Sequence, residues 1–111
     1  MKARKTRGID ICPTVEGAFR LMGKKWTGLI LHVLSGGEKR FSELAETVPR
    51  ISARILSQRL SELEKEGLIA RTVFPETPVR VQYALTDKGR ALTPILEGLV
   101  EWAHRWTEVS V

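Results

Sequence analysis

Between Ser52 and Gly67 the chain carries about four turns of helical sequence, because Ser52 is a natural N-cap and Gly67 a natural C-terminal stop. At about 100° per residue, one face of this segment collects polar side chains. The candidates for contact on and beside that face are Ser52, Arg54, Ser57, Gln58 and Ser61. Arginine can bridge two acceptors on guanine, glutamine can pair with adenine, and serine contacts bases or phosphates. The chemistry would be hydrogen bonding to DNA, although a plain solvated face would have the same composition.

The other face of this helix is apolar and must pack on something. It carries Leu56, Leu60 and Leu63. A shorter helix is predicted over Ser42–Val48, capped by Ser42, and only Pro49–Ile51 separates the two helices. So short a turn forces the helices into close contact at a steep angle. In a helix-turn-helix of this kind, the N-terminal part of the second helix enters the major groove.

Two more helices are predicted before this pair. Pro13 opens the first, which reaches Gly23, and the second runs from about Lys25 through Ser35, where Gly36-Gly37 stops it. The inner face of the second helix is predicted to hold Trp26, Leu29, Ile30, Val33 and Leu34. These helices would form the N-terminal part of a helical core.

The C-terminal half has the pattern of a β-hairpin followed by a helix. Two runs rich in β-forming residues, 68–74 and 79–85, flank a turn at Pro75–Pro78. Thr86 then caps a long last helix, which Pro94 must kink or break. Helices followed by a hairpin and a last helix predict a mainly α fold with a small β-hairpin wing (α+β), a winged helix-turn-helix.

Three arginines near this unit could contact DNA. The sequence leaves the roles of two of them open and favours a DNA contact for the third. Arg59 lies beside the apolar face and could contact a phosphate or pair with Glu43. Arg71 leads into the hairpin and could form a structural salt bridge or contact DNA. Arg80 follows the hairpin tip, a position suited to phosphate contact or to minor-groove insertion. Arg80 is therefore the favoured DNA contact of the wing.

Length and charge agree with one small domain that attracts polyanions. The chain has 111 residues and a formal net charge of +5, and we divide it into a basic arm, residues 1–10 with Lys2, Arg4, Lys5 and Arg7, and a domain over residues 11–111. No apolar run is long enough to span a membrane and no signal-peptide core follows the basic residues, so a cytoplasmic location is expected.

The last helix carries a broad apolar stripe, larger than one small core requires. It consists of Ile95, Leu96, Leu99, Trp102, Ala103 and Trp106. The stripe could cap the core of its own monomer, but a two-fold dimer would bury it more completely. We therefore expect a homodimer.

The combination of motifs resembles the HxlR-type winged helix-turn-helix regulators, relatives of the MarR group. The resemblance covers residues 11–106 and is carried by three runs, CPTVEGAFRLMGKKWTGLILHVLSGGEKRFSEL, ISARILSQRLSELEKEGLIAR and FPETPVRVQYALTDKGRAL. Val79 stands where many members have a second proline in the wing turn, which puts only the wing tip in doubt.

The resemblance implies a sequence-specific transcriptional regulator, a repressor, that binds a palindromic operator in double-stranded DNA as a homodimer. It also implies N- and C-terminal dimerisation helices, here with an interface of Phe19, Leu96, Leu99, Trp102 and Trp106. Some members of that family sense oxidants or electrophiles through a cysteine at the position of Cys12. The start of a helix favours a negative charge on this thiol, yet a small buried hydrophobe at a dimer interface would suit the same position.

Other function classes find less support in the sequence. Neither His32 nor His104 has a partner at a ligand spacing, so a satisfied core histidine and a surface one are expected rather than a metal site. No base and orienting group accompany Cys12, so we expect no enzyme and no cofactor. The alternative is a winged-helix module that binds proteins, which the acidic residues Glu62, Glu64 and Glu66 favour and the arginines oppose.

Overall fold

The structure is a computed structural model that describes residues 4–6 and 9–107. Its elements confirm the predicted α+β winged-helix fold. In chain order they are β1 (Arg4–Thr6), β2 (Ile9–Ile11), α1 (Pro13–Met22), α2 (Thr27–Leu34), β3 (Lys39–Arg40), α3 (Phe41–Thr47), α4 (Ala53–Lys65), β4 (Ile69–Phe74), β5 (Arg80–Leu85), α5 (Asp87–Arg90) and α6 (Thr93–Trp106). No helix in this described part is long and apolar enough to cross a membrane.

The core lies where α2, α3, α4 and the sheet meet. Its fully buried members include Ile30, Leu31, Leu44, Leu56, Leu60, Leu63, Leu68 and Ile69. The predicted inner face of α2 is wrong at one position, because Leu29 is exposed while Leu31 is buried. The reason is that α2 packs against α3 and β5 as well as α6. Side chains on more than one face of this helix are therefore buried.

α3 begins one residue earlier than predicted, and its cap is different. Arg40, the last residue of β3, occupies the N-cap position, and its backbone N–H donates to Oε1 of Glu43 (2.8 Å). Ser42 was predicted as the cap, but it lies inside the helix and is exposed. The correction follows from β3: the strand holds Arg40 extended, so the helix starts at Phe41.

A three-stranded antiparallel sheet forms the wing, in the order β3-β5-β4. The hairpin register pairs Ile69 with Leu85 at its base and Phe74 with Arg80 at its tip. Gly67 has a φ of +76°, a left-handed conformation that costs glycine little, and it turns the chain from α4 into β4. The predicted hairpin and the predicted end of α4 are both confirmed.

The predicted break near Pro94 is also present. Thr86 caps α5 by accepting a hydrogen bond from the N–H of Gly89 (3.1 Å), and Pro94 stands in the first turn of α6. A β-carbon on Gly89 would clash with the carbonyl oxygen of Leu68. Glycine at this position therefore lets α5 lie close against the base of the wing, and α6 follows.

The described part of the basic arm belongs to a short β-ribbon. In its described part β1 pairs with β2 in an antiparallel ribbon, with Arg4 opposite Ile11. No strand was predicted here from the sequence, and β2 ends at Ile11, the first residue of the range assigned to the domain. Lys2 and Arg7 lie outside the described residues, as do residues 108–111 of the predicted domain.

Replacing the cap of α4 should destabilise the fold measurably. The Ser52 hydroxyl accepts a hydrogen bond from the N–H of Ile55 (3.1 Å), so Ser52→Ala should lower the free energy of unfolding by about 1 kcal/mol in urea titrations. Ser57→Ala is the matched control, because Ser57 is exposed within the same helix and alanine favours the helix there. Equal stabilities for the two variants would contradict the capping role.

Candidate nucleic-acid interface

The polar face of α4 is exposed along the turns that were predicted to read DNA. Side chains open to solvent on this helix or at its start include Ser52, Arg54, Ser57, Gln58 and Ser61. The opposite leucines at 56, 60 and 63 are at most 1% exposed, so the rotation of α4 about its axis is fixed. Because Ser52 uses an oxygen lone pair for its cap, its hydroxyl proton remains available to donate to a phosphate.

Arg59 hydrogen-bonds to protein groups that were not predicted from the sequence, and its contact with a DNA phosphate stays a prediction. Its Nε donates to the carbonyl oxygen of Lys25 (2.9 Å), and its Nη1 lies 3.3 Å from Oε1 of Glu62. The pairing with Glu43 is wrong, because Glu43 caps α3 instead. The i,i+3 spacing of Arg59 and Glu62 on one helix was the signal that could have predicted this pair.

Glu62 is part of a charge network that joins α4 to the turn after α1. Its Oε2 lies 3.1 Å from Nζ of Lys24. The hydrogen bond from Lys24 lowers the pKa of the Glu62 carboxyl, and the charge of Arg59 acts in the same direction. Glu62 is therefore an ionised carboxylate with cationic partners on both sides. Its negative charge is offset by these neighbours, so the exposed face of α4 is less acidic than a count of its glutamates indicates.

Arg80 is held in place at the tip of the wing. Its Nη2 lies 2.8 Å from Oε2 of Glu76, and its guanidinium carbon lies 3.8 Å from the centre of the Phe74 ring. With the Gln82 amide oriented to satisfy its neighbours, Gln82 accepts from Nη1 of Arg80 (2.9 Å). The hydrogen bond from Arg80 lowers the pKa of Glu76, and the same bond raises the pKa of Arg80.

These contacts give Arg80 a structural task beside the DNA contact predicted for it, which stays a prediction. Arg71 is different, because it is exposed on β4 and no acidic side chain in the described ranges lies within ion-pair distance of it. The structural salt bridge offered for Arg71 is therefore wrong within those ranges. Its guanidinium is the more accessible of the two wing cations.

Large apolar side chains are exposed on both α1 and α6, and we refer to them together as the apolar surface of α1 and α6. α1 has no buried residue, and Phe19 is 75% exposed while Trp106 is 72% exposed. Ile95, Leu99 and Trp102 are exposed as well. Leu96 was predicted in the dimer interface, but its side chain is only 5% exposed. It belongs to the core of its own protomer, because it lies on the inward side of α6.

The N-terminal ribbon extends this apolar surface. A cavity of about 620 Å³ is lined by Ile9, Ile11, Val15, Glu16, Phe19 and Arg20. Ile9 and Ile11 were not among the predicted interface residues. Their alternation in a short strand was the signal that could have predicted them, but no strand was predicted at this position.

Cys12 and the two histidines occupy different environments. Cys12 is half-buried and directly precedes α1, in the N-cap position, with extended backbone. Nδ1 of His32 is buried with no hydrogen-bond partner among the described residues, so the prediction of a satisfied histidine is wrong for this atom. The apolar core around α2 gives the reason, whereas His104 is exposed as predicted. Within residues 4–6 and 9–107 no group of three His, Cys, Asp or Glu side chains could hold a metal ion.

A helix-turn-helix with an exposed polar second helix, followed by a β-hairpin wing, defines a winged helix-turn-helix transcriptional regulator. The sequence pattern of the HxlR-like helix-turn-helix family matches residues 21–111. The chain belongs to this family. The relatives that it resembles in sequence are transcriptional regulators and not enzymes.

Two regulators are close enough for detailed comparison. The transcriptional regulator YodB of Bacillus subtilis is 50% identical over 101 residues, which cover 91% of this chain and 90% of YodB. The structure of reduced YodB matches with a TM-score of 0.77 at 48% identity, covering 91% of this chain and 99% of that one. YodB structures also exist in diamide-treated and quinone-bound forms. The redox regulator HypR in its oxidised form matches with a TM-score of 0.82 at 38% identity, covering 88% of this chain and all of that one (100%).

Proposed function

We propose that this transcriptional regulator is a repressor that binds a palindromic operator as a homodimer, with α4 of each protomer in the major groove. The observation that carries the proposal is the orientation of α4, whose leucines are locked in the core while Arg54, Ser57 and Gln58 face solvent in its first two turns. That part of a recognition helix is where base edges come within reach. Repression would follow from occupying DNA that transcription needs, in the cytoplasm where a bacterium keeps its DNA.

Arg71 and Arg80 supply the cationic groups of the wing in this proposal. Arg71 is exposed and suited to a phosphate, while Arg80 is fixed over the Phe74 ring by Glu76. Phosphate contacts set the register of the protein on the duplex, and the base contacts of α4 then give specificity. The two-fold axis of a dimer would place two α4 helices about one helical turn of DNA apart.

Arg54→Ala should reduce the preference for the operator over other DNA. An operator is first obtained by selecting the wild-type chain against random duplexes, and a scrambled duplex of equal composition serves as the reference. Loss of a bidentate guanine contact should cost about 1–3 kcal/mol of discrimination in binding titrations.

Lys65→Ala is the control for this variant, because Lys65 is exposed on the same face about three turns farther along α4. It should weaken both duplexes equally, since a phosphate contact carries no sequence information. Wild-type affinity that does not fall as salt is raised would contradict DNA binding and would favour the protein-interaction alternative.

The homodimer should depend on the apolar surface of α1 and α6. Leu99→Glu places a charge in that surface, and burying an unpaired charge is costly, so light scattering after size exclusion should show a monomer at micromolar concentration. Val79→Glu is the control, since Val79 is 62% exposed in the wing turn and should leave the dimer intact. A wild-type monomer, or a dimer that survives Leu99→Glu, would contradict the proposed interface.

We also propose that Cys12 makes the regulator responsive to oxidants or electrophiles. Two observations support this: Cys12 precedes a helix of the proposed dimer interface, and the similar regulator YodB has structures in diamide-treated and quinone-bound forms. The chain has one cysteine, so a disulfide can join Cys12 only to another chain or to a small thiol. In that reaction diamide takes up the two electrons and two protons that the two thiols lose.

Diamide should therefore release the wild-type chain from its selected operator and leave Cys12→Ser bound. The measurement is operator affinity before and after treatment, followed by recovery with a reducing thiol. Cys12→Ala, which keeps a small apolar side chain, tests packing alone and should fold and bind like the wild type. Release of Cys12→Ser by diamide to the same extent as the wild type would assign Cys12 to packing.

A further inference from the structure

The turn between α1 and α2, residues 23–26, is joined to α4 by two polar contacts, and a third contact within α4 connects the two residues that make them. Nζ of Lys24 lies 3.1 Å from Oε2 of Glu62, and Nη1 of Arg59 lies 3.3 Å from Oε1 of the same carboxylate. Nε of Arg59 donates to the carbonyl oxygen of Lys25 (2.9 Å). We call this set, Lys24, the Lys25 carbonyl, Arg59 and Glu62, the α1–α4 clamp.

The backbone of the turn leaves the Lys25 carbonyl available for this contact. Trp26 has a φ of +81°, a left-handed conformation that is unfavourable for a bulky residue. α2 starts after it, and the N–H of Ile30 bonds to the carbonyl of Trp26, which leaves Lys25 outside that helix. The carbonyl therefore accepts from a side chain of α4, which helps to hold the turn in its strained form.

Burial and charge distinguish the clamp from an incidental surface ion pair. The side chains of Arg59 and Glu62 are 16% and 28% exposed, and that of Lys24 is 43% exposed, so the α4 side of the clamp is the shielded one. Glu62 lies between two cations, and the pair from Arg59 is backed by a backbone acceptor. Several shared contacts lose less side-chain freedom per contact than one isolated pair.

We propose that Arg59 and Glu62 are positioning residues, which fix the angle of the recognition helix relative to α1 and so set its fit to the operator. The proposal rests on the proposed function, because it concerns how α4 meets DNA. Cys12 directly precedes α1, which carries part of the apolar surface, so the contact from Lys24, in the turn after α1, is also a polar link from the end of that helix to α4. Its contribution is to operator preference rather than to general attraction for DNA.

Electrostatics and positioning predict opposite signs for one substitution. Glu62→Gln removes a negative charge from the helix that approaches DNA, which by charge alone should strengthen binding to any duplex. Loosening the clamp should instead weaken binding to the operator. The ratio of operator affinity to scrambled-duplex affinity separates these effects, because the charge change acts on both duplexes equally.

We expect Glu62→Gln to lower that ratio about three- to tenfold, the range set by losing one hydrogen bond of ordinary strength. Glu64→Gln is the matched control, with the same charge change at an exposed position of the same helix, and should leave the ratio unchanged. Lys24→Met should lower the ratio although it alters the charge in the opposite direction. The double variant should lose less than the sum of the two, because both remove one interaction.

Hydrogen exchange of the DNA-free chain tests the clamp without relying on the operator. Faster exchange of the backbone amides in residues 23–26 and at the start of α2 in Glu62→Gln, but not in Glu64→Gln, is the expected result. Unchanged exchange would overturn the proposal whether or not the wild type selects an operator. An operator ratio for Glu62→Gln equal to that of Glu64→Gln would overturn it as well, whereas a wild type that selects no sequence would refute only the proposed function.

Discussion

The burial of Leu56, Leu60 and Leu63 is the constraint on which the rest of this molecule depends. Burying one leucine side chain contributes roughly 1.5–3 kcal/mol, and these three lie in a single stripe of α4. The stripe fixes the rotation of the helix about its own axis, so the polar residues at 54, 57 and 58 face outward without any restraint of their own. The cap from Ser52 and the turn at Gly67 fix the two ends of the same helix.

Two parts of the surface differ in their chemistry. The α4 and wing side offers donors and cations, and the ion pairs around Glu62 and Glu76 offset acidic groups there. The α1 and α6 side offers aromatic and aliphatic groups that its own core leaves uncovered. This separation agrees with the proposal that the second side meets another copy of the chain while the first meets DNA.

Charged groups near α4 therefore have to be interpreted through their partners and not by type. Arg59 and Arg80 both lie beside a surface proposed to bind DNA, yet each donates hydrogen bonds to groups of the protein itself. Arg54 and Arg71 are the exposed ones. The same logic applies to acidic residues, since Glu62 has cationic neighbours whereas Glu64 is exposed.

Much of the fold was predictable from local patterns. The ends of α4, the hairpin, the break near Pro94 and the order of the elements follow from caps, glycines, prolines and periodicity, all of which act over a few residues. The prediction was weaker where a segment had two plausible partners. The inner face of α2 was misassigned at Leu29, and the cap of α3 was placed on Ser42 instead of Arg40, because neighbouring elements decided both.

The sequence by itself determined which helix carries the polar face and which residues lie on it, because helical periodicity and three leucines are enough to separate the two faces. Only the tertiary structure decided what the flanking arginines do, that Leu96 belongs to the protomer core, and that Ile9 and Ile11 join the apolar surface. The physical reason is the separation along the chain over which each interaction acts. Capping and periodicity act within a turn or two of chain, whereas the partner of Arg59 lies 34 residues away at Lys25 and becomes a neighbour only once the core has formed.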